Sequence, residues 1–315
     1  MTRPSTIAAR IRRWDTEGPQ GPVTLELYPT LKCNLDCLFC DTTERHQPRQ
    51  NELPLSRHLE ILDEAAELGV QRVFVLGGGE PLVARDLTPP ILRRVKQLGM
   101  EGILTTNGTI LPAGLREQLL EDLWDELHVS VDGPTAEIHD HLRGQKGAFR
   151  KTVTNLCRLN LEKKRRGLSH PRLALHTVLT NTNYRSLSDM VRLGRALGVF
   201  RIDFDALVAY RPEQLALKLS PAQAEELPEG EGLKGAPCLK AWHYLVVQAD
   251  GRTSPCCVLA GMGESVAQTP LSEVWNQGDF LASVRTGMAS GRPLKRCSEC
   301  SPNILVHEAA IRAEL

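Results

Sequence analysis

The segment Cys33-Asn-Leu-Asp-Cys37-Leu-Phe-Cys40 places three cysteines within eight residues, directly after the first predicted strand. Three thiolates at this spacing can hold one small metal centre. A structural zinc ion takes four protein ligands, and a cubane iron–sulfur cluster presents four irons. Three cysteines therefore leave one position for a ligand that is not protein, or they require a distant fourth ligand such as His46.

The sequence on both sides of this segment alternates short apolar strands with helical stretches, from residue 22 to about residue 205. Parallel strands need a long crossover connection, so this alternation predicts parallel βα units and an α/β fold. In such folds the chemistry lies at the loops that follow the carboxyl ends of the strands. The predicted strands are 23–28, 72–76, 102–105, 127–131, 173–178 and 200–204.

The cysteine triad, its place after the first strand and Phe39 before the last cysteine resemble the signature of the radical S-adenosyl-L-methionine (radical SAM) superfamily. The resemblance implies a partial (β/α)6 barrel similar to a TIM barrel. It also implies a 4Fe-4S cluster on Cys33, Cys37 and Cys40 whose open iron binds SAM. In that family an electron from the cluster cleaves SAM to a 5′-deoxyadenosyl radical. A flavodoxin- or ferredoxin-like reductant would supply the electron.

Three further motifs resemble segments that contact SAM in this family. A Gly-Gly-Glu-Pro motif follows the second strand, where glycine lets the backbone approach a ligand closely and a carboxylate suits the SAM ammonium. A Thr-Asn-Gly segment follows the third strand. A serine, an aspartate and an arginine at and beyond the fourth strand match a run that holds the SAM carboxylate and ribose. The expected SAM-contacting residues are Gly78, Gly79, Glu80, Pro81, Thr106, Asn107, Ser130, Asp132 and Arg143.

Four more cysteines, Cys238, Cys256, Cys297 and Cys300, lie near the C-terminus. Their spacing around Gly251 and the final Cys-x2-Cys resemble the SPASM or twitch extension of radical SAM enzymes. Full SPASM modules carry seven cysteines and two clusters, whereas only these four match the pattern here and the later ones are lacking. The departure implies one auxiliary 4Fe-4S cluster held by all four cysteines, with a role in electron transfer. A zinc ribbon has the same ligand set and remains an alternative.

These patterns divide the sequence into four parts. We expect an N-terminal segment at 1–21, the radical SAM partial barrel at 22–209, a polar linker at 210–237 and a small cysteine-rich twitch- or SPASM-like module at 238–315. Within the last part, Asp250-Gly251 between two short apolar runs predicts a hairpin.

The other chemically capable residues are candidates for work on the substrate. Cys157 is expected to be a packing thiol within a helix, whereas Cys257 could donate a hydrogen atom to a substrate radical. Asp203 and Asp205 share one face of the sixth strand, because strand side chains alternate. The candidate catalytic residues are Cys257, Asp203, Asp205, Tyr210 and His176.

Charge and hydropathy limit the possible partners. With 38 basic and 38 acidic residues the net charge is zero, which gives no indication of a nucleic-acid or anionic-membrane partner. No apolar run approaches the roughly 20 residues of a membrane span, and the N-terminus lacks the apolar stretch of a secretory signal. A cytoplasmic location, where thiols stay reduced, is therefore expected.

The resemblance implies a radical SAM oxidoreductase or epimerase. The expected N-terminal segment has only 21 residues, too few for an added peptide-binding domain, which favours a small alcohol or sugar-like substrate. Two alternatives stay open. The first is a maturase that modifies a peptide or protein, as in ribosomal peptide (RiPP-type) modification. The second is a non-catalytic zinc or iron–sulfur protein.

Overall fold

Helices and strands alternate along most of the chain. The computed structural model describes residues 4–40, 42, 51–209, 211–227, 238–298, 300 and 309–315, so the candidate Tyr210 lies outside the described residues. In chain order the elements are α1 (Pro4–Glu17), β1 (Thr24–Leu27), α2 (Leu55–Glu67), β2 (Arg72–Val75), α3 (Thr88–Gln97), β3 (Glu101–Thr106), α4 (Ala113–Glu121), β4 (Glu126–Ser130), α5 (Ala136–Leu142), α6 (Ala148–Arg166), β5 (Arg172–Leu179), α7 (Leu187–Ala196), β6 (Arg201–Ala206), α8 (Pro221–Glu225), β7 (Tyr244–Val247), β8 (Thr253–Ser254), α9 (Leu271–Gln277), α10 (Asp279–Ala289), α11 (Lys295–Ser298) and α12 (Ala309–Arg312).

One sheet organises the described residues. Strands β1 to β6 lie side by side in chain order, and each neighbouring pair is parallel. The predicted α/β fold is confirmed, with six parallel strands forming the partial barrel. The predicted hairpin forms from β7 and β8, and β7 also pairs in parallel with β1. The cysteine-rich C-terminal part therefore extends the sheet of the barrel.

The two faces of this sheet differ in polarity because strand side chains alternate. The outer face is apolar and packs on the helices: Leu27 and Val75 of the strands share one fully buried cluster with Ile61 of α2. Burying one such side chain contributes about 1.5–3 kcal/mol. The inner face instead carries polar groups, and the strand register sets His176 beside Asp203. The inner face is therefore the polar face of the sheet.

The N-terminal helix α1 packs on the C-terminal part of the chain. The rings of Trp14 and Trp275 meet edge to face with centroids 6.1 Å apart. The Arg285 guanidinium lies 4.7 and 4.4 Å from those two ring centroids, and its Nε donates to the carbonyl of Ala241 at 2.9 Å. Cation–π contacts of this kind contribute about 0.5–2 kcal/mol. Residues before the barrel thus help to fix the cysteine-rich part.

The described residues contain no helix with the length and apolar character needed to cross a bilayer.

Candidate active site

One cavity of about 500 Å³ lies at the carboxyl ends of β1 to β4, where the alternation of strands and helices places the chemistry. Its volume falls within the roughly 300–1,000 Å³ of small-molecule sites. The barrel and the C-terminal part share its wall. The barrel contributes Cys33, Cys37, Cys40, Gly78, Gly79, Glu80, Thr106, Asn107, Ser130 and Arg143, and the C-terminal part contributes Gln248, Arg252, Cys257 and Ala260.

The three cysteines of the triad meet at one side of this cavity. Cys37 is buried, Cys33 and Cys40 are half-buried, and all three belong to one small cluster. Burial raises the pKa of Cys33 to about 11, and burial also raises the pKa of Cys37 against the opposing effect of Arg143. Such thiols stay protonated until a metal displaces their protons. Three convergent thiols beside an open cavity fit a cluster with one iron left for SAM.

Side chains from a distant part of the chain hold the triad loop in place. The carbonyl of Cys40 accepts from Arg211 Nη2 at 2.8 Å and from Gln214 Nε2 at 2.9 Å. On the opposite side, Leu38 N donates to the carbonyl of Leu142 at 2.9 Å. The loop is therefore fixed independently of any bound group.

The glycines at 77–79 allow a close backbone approach to the triad loop. A Cβ added to Gly79 would come within 2.2 Å of the Lys32 carbonyl oxygen, and Glu80 N donates to that same oxygen at 2.8 Å. The two loops therefore pack backbone to backbone just before Cys33. Because Gly78 and Gly79 also line the cavity, their contact with SAM stays a prediction.

The Glu80 carboxylate connects the second and third motifs. It is buried and accepts from Thr106 Oγ1 at 2.6 Å, from Asn107 N at 2.6 Å and from Leu82 N at 3.1 Å. Burial raises the pKa of Glu80 in spite of these hydrogen bonds. Pro81 begins a short 3-10 helix. Glu80, Thr106 and Asn107 thus form one hydrogen-bonded unit on the cavity wall.

The residues at and after the end of β4 contact the triad loop and also line the cavity. Ser130 lines the cavity. Asp132 is fully buried and forms an ion pair with Arg143, whose Nη1 donates to Cys37 Sγ at 3.7 Å. A Cβ on Gly144 would lie 2.2 Å from the Asp36 carbonyl oxygen. The Arg143 guanidinium thus pairs with an aspartate and hydrogen-bonds a triad cysteine.

The four C-terminal cysteines also come together. Cys238, Cys256 and Cys297 pack against one apolar cluster, and Cys300 N donates to the Cys297 carbonyl at 3.3 Å. The pKa of Cys297 is raised by burial and by Cys256 and Cys300, which lie close enough to interact electrostatically. Four thiols in one place fit a closed, fully ligated cluster.

Neither set of cysteines has the geometry of a single-ion site. Within the described part of the chain, no three His, Cys, Asp or Glu side chains converge as one metal ion requires. A cubane cluster binds each cysteine sulfur at a separate iron, so its ligands stand further apart than those around one ion.

The two cysteines outside these sets differ from each other in environment. Cys257 is exposed at the residue level and borders the cavity, where desolvation of its thiol and then the charge of Glu26 raise its pKa. Cys157 is exposed on α6, so the expectation of a packed thiol was wrong. The neighbouring Leu156 occupies the buried position of that helix instead.

His176, Asp203 and Asp205 form one cluster on the inner face, beyond the residues that line the cavity. His176 Nε2 lies 3.1 Å from Asp203 Oδ2, and its Nδ1 lies 3.8 Å from Asp205 Oδ2. Burial lowers the pKa of His176, but the two carboxylates outweigh burial and raise it to about 9.

Two residues that the sequence analysis missed extend this cluster. His128 Nδ1 lies 3.0 Å from His176 Nε2, and His128 Nε2 lies 2.7 Å from Glu126 Oε2. The strict alternation of Glu126, His128 and Ser130 with apolar neighbours on β4 was the signal that could have identified them.

A partial barrel with three cysteines beside a cavity at its strand ends defines the class of enzymes that activate SAM at an open iron–sulfur cluster. The model for the radical SAM superfamily matches residues 27–201, and that for the SPASM iron–sulfur cluster-binding domain matches residues 238–301. The chain belongs to the radical SAM superfamily and carries a SPASM extension. Its cofactors are therefore 4Fe-4S clusters and SAM.

Several characterised proteins are similar over most of their length. A PqqA peptide cyclase of Methylocella silvestris is 30% identical over 285 residues, covering 82% of this chain and 72% of the relative. An AdoMet-dependent heme synthase of Methanosarcina barkeri is 25% identical over 299 residues, covering 81% and 82%. The crystal structure of Streptococcus suis SuiB bound to S-adenosylmethionine shares the fold, with a TM-score of 0.71 at 17% identity over 88% of this chain and 71% of SuiB.

Proposed function

We propose that this protein is a radical SAM enzyme that modifies a peptide. The observation that supports this substrate class best is the 30% identity with a PqqA peptide cyclase over 82% of the chain. The sequence analysis favoured a small alcohol or sugar-like substrate, and the similarity favours its peptide alternative instead. The cluster and SAM together supply a 5′-deoxyadenosyl radical, which takes a hydrogen atom from the substrate.

The ligand assignments are part of this proposal. Cys33, Cys37 and Cys40 hold the SAM-binding cluster beside the cavity, and the SAM-contacting residues predicted from the motifs stay assigned to SAM. Cys238, Cys256, Cys297 and Cys300 hold one auxiliary cluster. The four-part division at 1–21, 22–209, 210–237 and 238–315 is retained, together with a flavodoxin- or ferredoxin-like reductant.

The shared cavity wall gives the substrate a place between the two sets of cysteines. Gln248 and Cys257 of the C-terminal part line the same cavity as the triad. A glutamine amide offers both donors and an acceptor, which complements a peptide group. Cys257 is positioned to return a hydrogen atom to a substrate radical, because its thiol borders the same cavity.

The edge of the sheet suits an extended substrate. Among the described residues β6 ends the sheet and pairs only with β5. An extended peptide can add a strand to such an edge through its main-chain hydrogen bonds. A peptide lying there would pass the inner-face cluster of His176, Asp203 and Asp205.

The test uses the reconstituted, reduced enzyme with SAM and a low-molecular-mass extract of source cells grown in deuterated medium. The proposal predicts deuterium transfer into 5′-deoxyadenosine that disappears when the extract is first treated with a protease. A Cys40→Ala variant is the control and should release no 5′-deoxyadenosine. Transfer that survives proteolysis would contradict the peptide assignment and favour a small molecule.

A second candidate substrate is an iron porphyrin, because an AdoMet-dependent heme synthase is 25% identical over a similar span. Fe-coproporphyrin III is the probe for this class. If it increases SAM cleavage by the reduced enzyme and the protease-sensitive fraction does not, the porphyrin assignment replaces the peptide assignment.

A further inference from the structure

The Arg143 side chain lies against one cysteine of the triad. Its Nη1 donates to Cys37 Sγ at 3.7 Å, and its guanidinium stands 5.3 Å from the centroid of the Phe39 ring. Arg143 and Cys37 are both buried. Water therefore screens the guanidinium charge poorly at this sulfur.

Asp132 holds the guanidinium in this position. The two side chains form a buried ion pair, and Asp132 Oδ1 also accepts from Val178 N at 2.9 Å. The Asp132 carbonyl accepts from Asn183 Nδ2 at 2.8 Å. Asp132 is thus held by its carboxylate on β5 and by its backbone carbonyl on the turn after β5, which fixes the direction of the arginine.

The backbone of the same turn fixes the cysteine. The carbonyl of Arg143 accepts from Asp36 N at 3.3 Å, and that of Leu142 accepts from Leu38 N at 2.9 Å. Cys37 lies between these two donors in the sequence. The distance between the guanidinium and the sulfur is therefore set from both sides.

We infer that Arg143 acts on the cluster site itself, as a fixed positive charge that hydrogen-bonds the Cys37 sulfur and raises the reduction potential of a cluster bound there. Hydrogen bonds and positive charge at the sulfurs stabilise the reduced state, which carries one more negative charge. Asp132 is a positioning residue that also partly cancels the charge. The inference rests on the proposed function, because it takes Cys37 to be a cluster ligand.

The test is a redox titration of the SAM-free holoenzyme followed by electron paramagnetic resonance. Arg143→Met should lower the midpoint potential of the triad cluster, changing the oxidised-to-reduced ratio about tenfold, or about 59 mV for one electron. Asp132→Asn should shift it the opposite way, because the arginine charge loses its partner. Arg143→Lys should lower it less than Arg143→Met. Arg116→Met is the matched control, since Arg116 is also buried and ion-paired, with Glu162 at 2.8 Å, yet does not border the cavity.

The outcomes separate this role from contact with SAM. Unchanged SAM-free potentials in Arg143→Met and Asp132→Asn, together with weakened SAM binding, would overturn the inference. If Arg143→Met does not retain its iron, the sign of the Asp132→Asn shift decides: a rise supports the inference, and no change or a fall overturns it. A wild-type protein without a SAM-sensitive cluster would instead indicate failure of the proposed function.

Discussion

The two cysteine sites of this protein are held together in different ways. The triad spans eight consecutive residues, and its backbone is fixed by hydrogen bonds that it accepts from Gln214 and donates to the Leu142 carbonyl. The C-terminal set is drawn from residues 238 to 300 and gathers around a small apolar cluster that includes Leu259 and Met288. The first site borders a cavity, whereas three cysteines of the second pack into an apolar interior.

The two sites are therefore suited to different tasks. A site whose backbone is held by hydrogen bonds from other parts of the chain, and which faces a cavity, suits the binding of a further ligand at the metal. A site whose four thiols come from separated segments suits a closed cluster that also joins those segments. Substitutions in the two sites should therefore have separable consequences.

The largest effect is expected from replacing ligands one site at a time. Cys37→Ala should abolish SAM cleavage to 5′-deoxyadenosine while the auxiliary cluster stays, because the SAM-binding cluster needs all three triad sulfurs as ligands. Cys238→Ala should keep much of the SAM cleavage and lose about half of the roughly eight irons of two cubane clusters. Iron analysis and chromatography of the products measure both effects. Equal loss of cleavage in the two variants would remove the distinction between the sites.

A smaller effect is expected from disturbing the frame of the triad. Gly79→Ala should destabilise the fold by about 1–3 kcal/mol and reduce iron binding, because its Cβ would approach the Lys32 carbonyl oxygen to 2.2 Å. Urea unfolding and iron content are the measurements. Gly114→Ala is the matched control, since an added Cβ there meets nothing within 4 Å and alanine favours a helix by about 0.5–1 kcal/mol. If Gly79→Ala behaves like this control, the backbone contact does not support the triad.

The inner-face cluster of His176, Asp203 and Asp205 serves as a comparison for the two cysteine sites, because substitutions in it should leave the iron content unchanged. The pKa of His176 is raised from 6.5 to about 9, since Asp203 and Asp205 outweigh burial. A raised pKa in the folded state adds stability that is full below pH 6.5 and is lost as the pH rises through about 9. Asp203→Asn should lower this pKa towards 6.5 and flatten that part of the pH dependence.

Nuclear magnetic resonance of the imidazole protons measures this pKa, and urea unfolding across the same pH range measures the stability. Asp189→Asn is the control, because Asp189 lies on the exposed surface of α7, where its partner is Arg192. Iron content should stay unchanged in both variants. A His176 pKa that stays at about 9 in Asp203→Asn would show that the carboxylate does not hold the proton.

The smallest effect is expected at Cys257, next to the auxiliary ligand Cys256. Cys257→Ala should keep the full iron content and the full rate of SAM cleavage, because its thiol borders the cavity and the proposal assigns it to neither cluster. The neighbouring Cys256→Ala should lose the auxiliary cluster. A loss of iron in Cys257→Ala would exchange the roles of these two residues.

The sequence predicted the features that depend on residues close together along the chain. Alternation of apolar residues indicated the six parallel strands, and the spacing of cysteines indicated both cysteine sites. It did not predict α1 (Pro4–Glu17). It also did not predict the parallel pairing of β7 with β1, because these two strands are far apart along the chain.

The motifs predicted which residues lie at the site, but not which side chains those residues contact. Glu80 was expected at the SAM ammonium, yet its carboxylate accepts from Thr106 and Asn107, 26 and 27 residues away. Arg143 lies 106 residues from Cys37 in sequence. Such contacts depend on strand register and loop packing, which no local pattern contains.

The most direct test of the central claim is electron paramagnetic resonance of the reduced holoenzyme with and without SAM. We expect two cluster signals, of which SAM changes one. The SAM-sensitive signal should be absent from Cys37→Ala and present in Cys238→Ala. Signals that do not respond to SAM, or a SAM response that survives in Cys37→Ala and disappears in Cys238→Ala, would contradict the assignment of the open cluster to the triad.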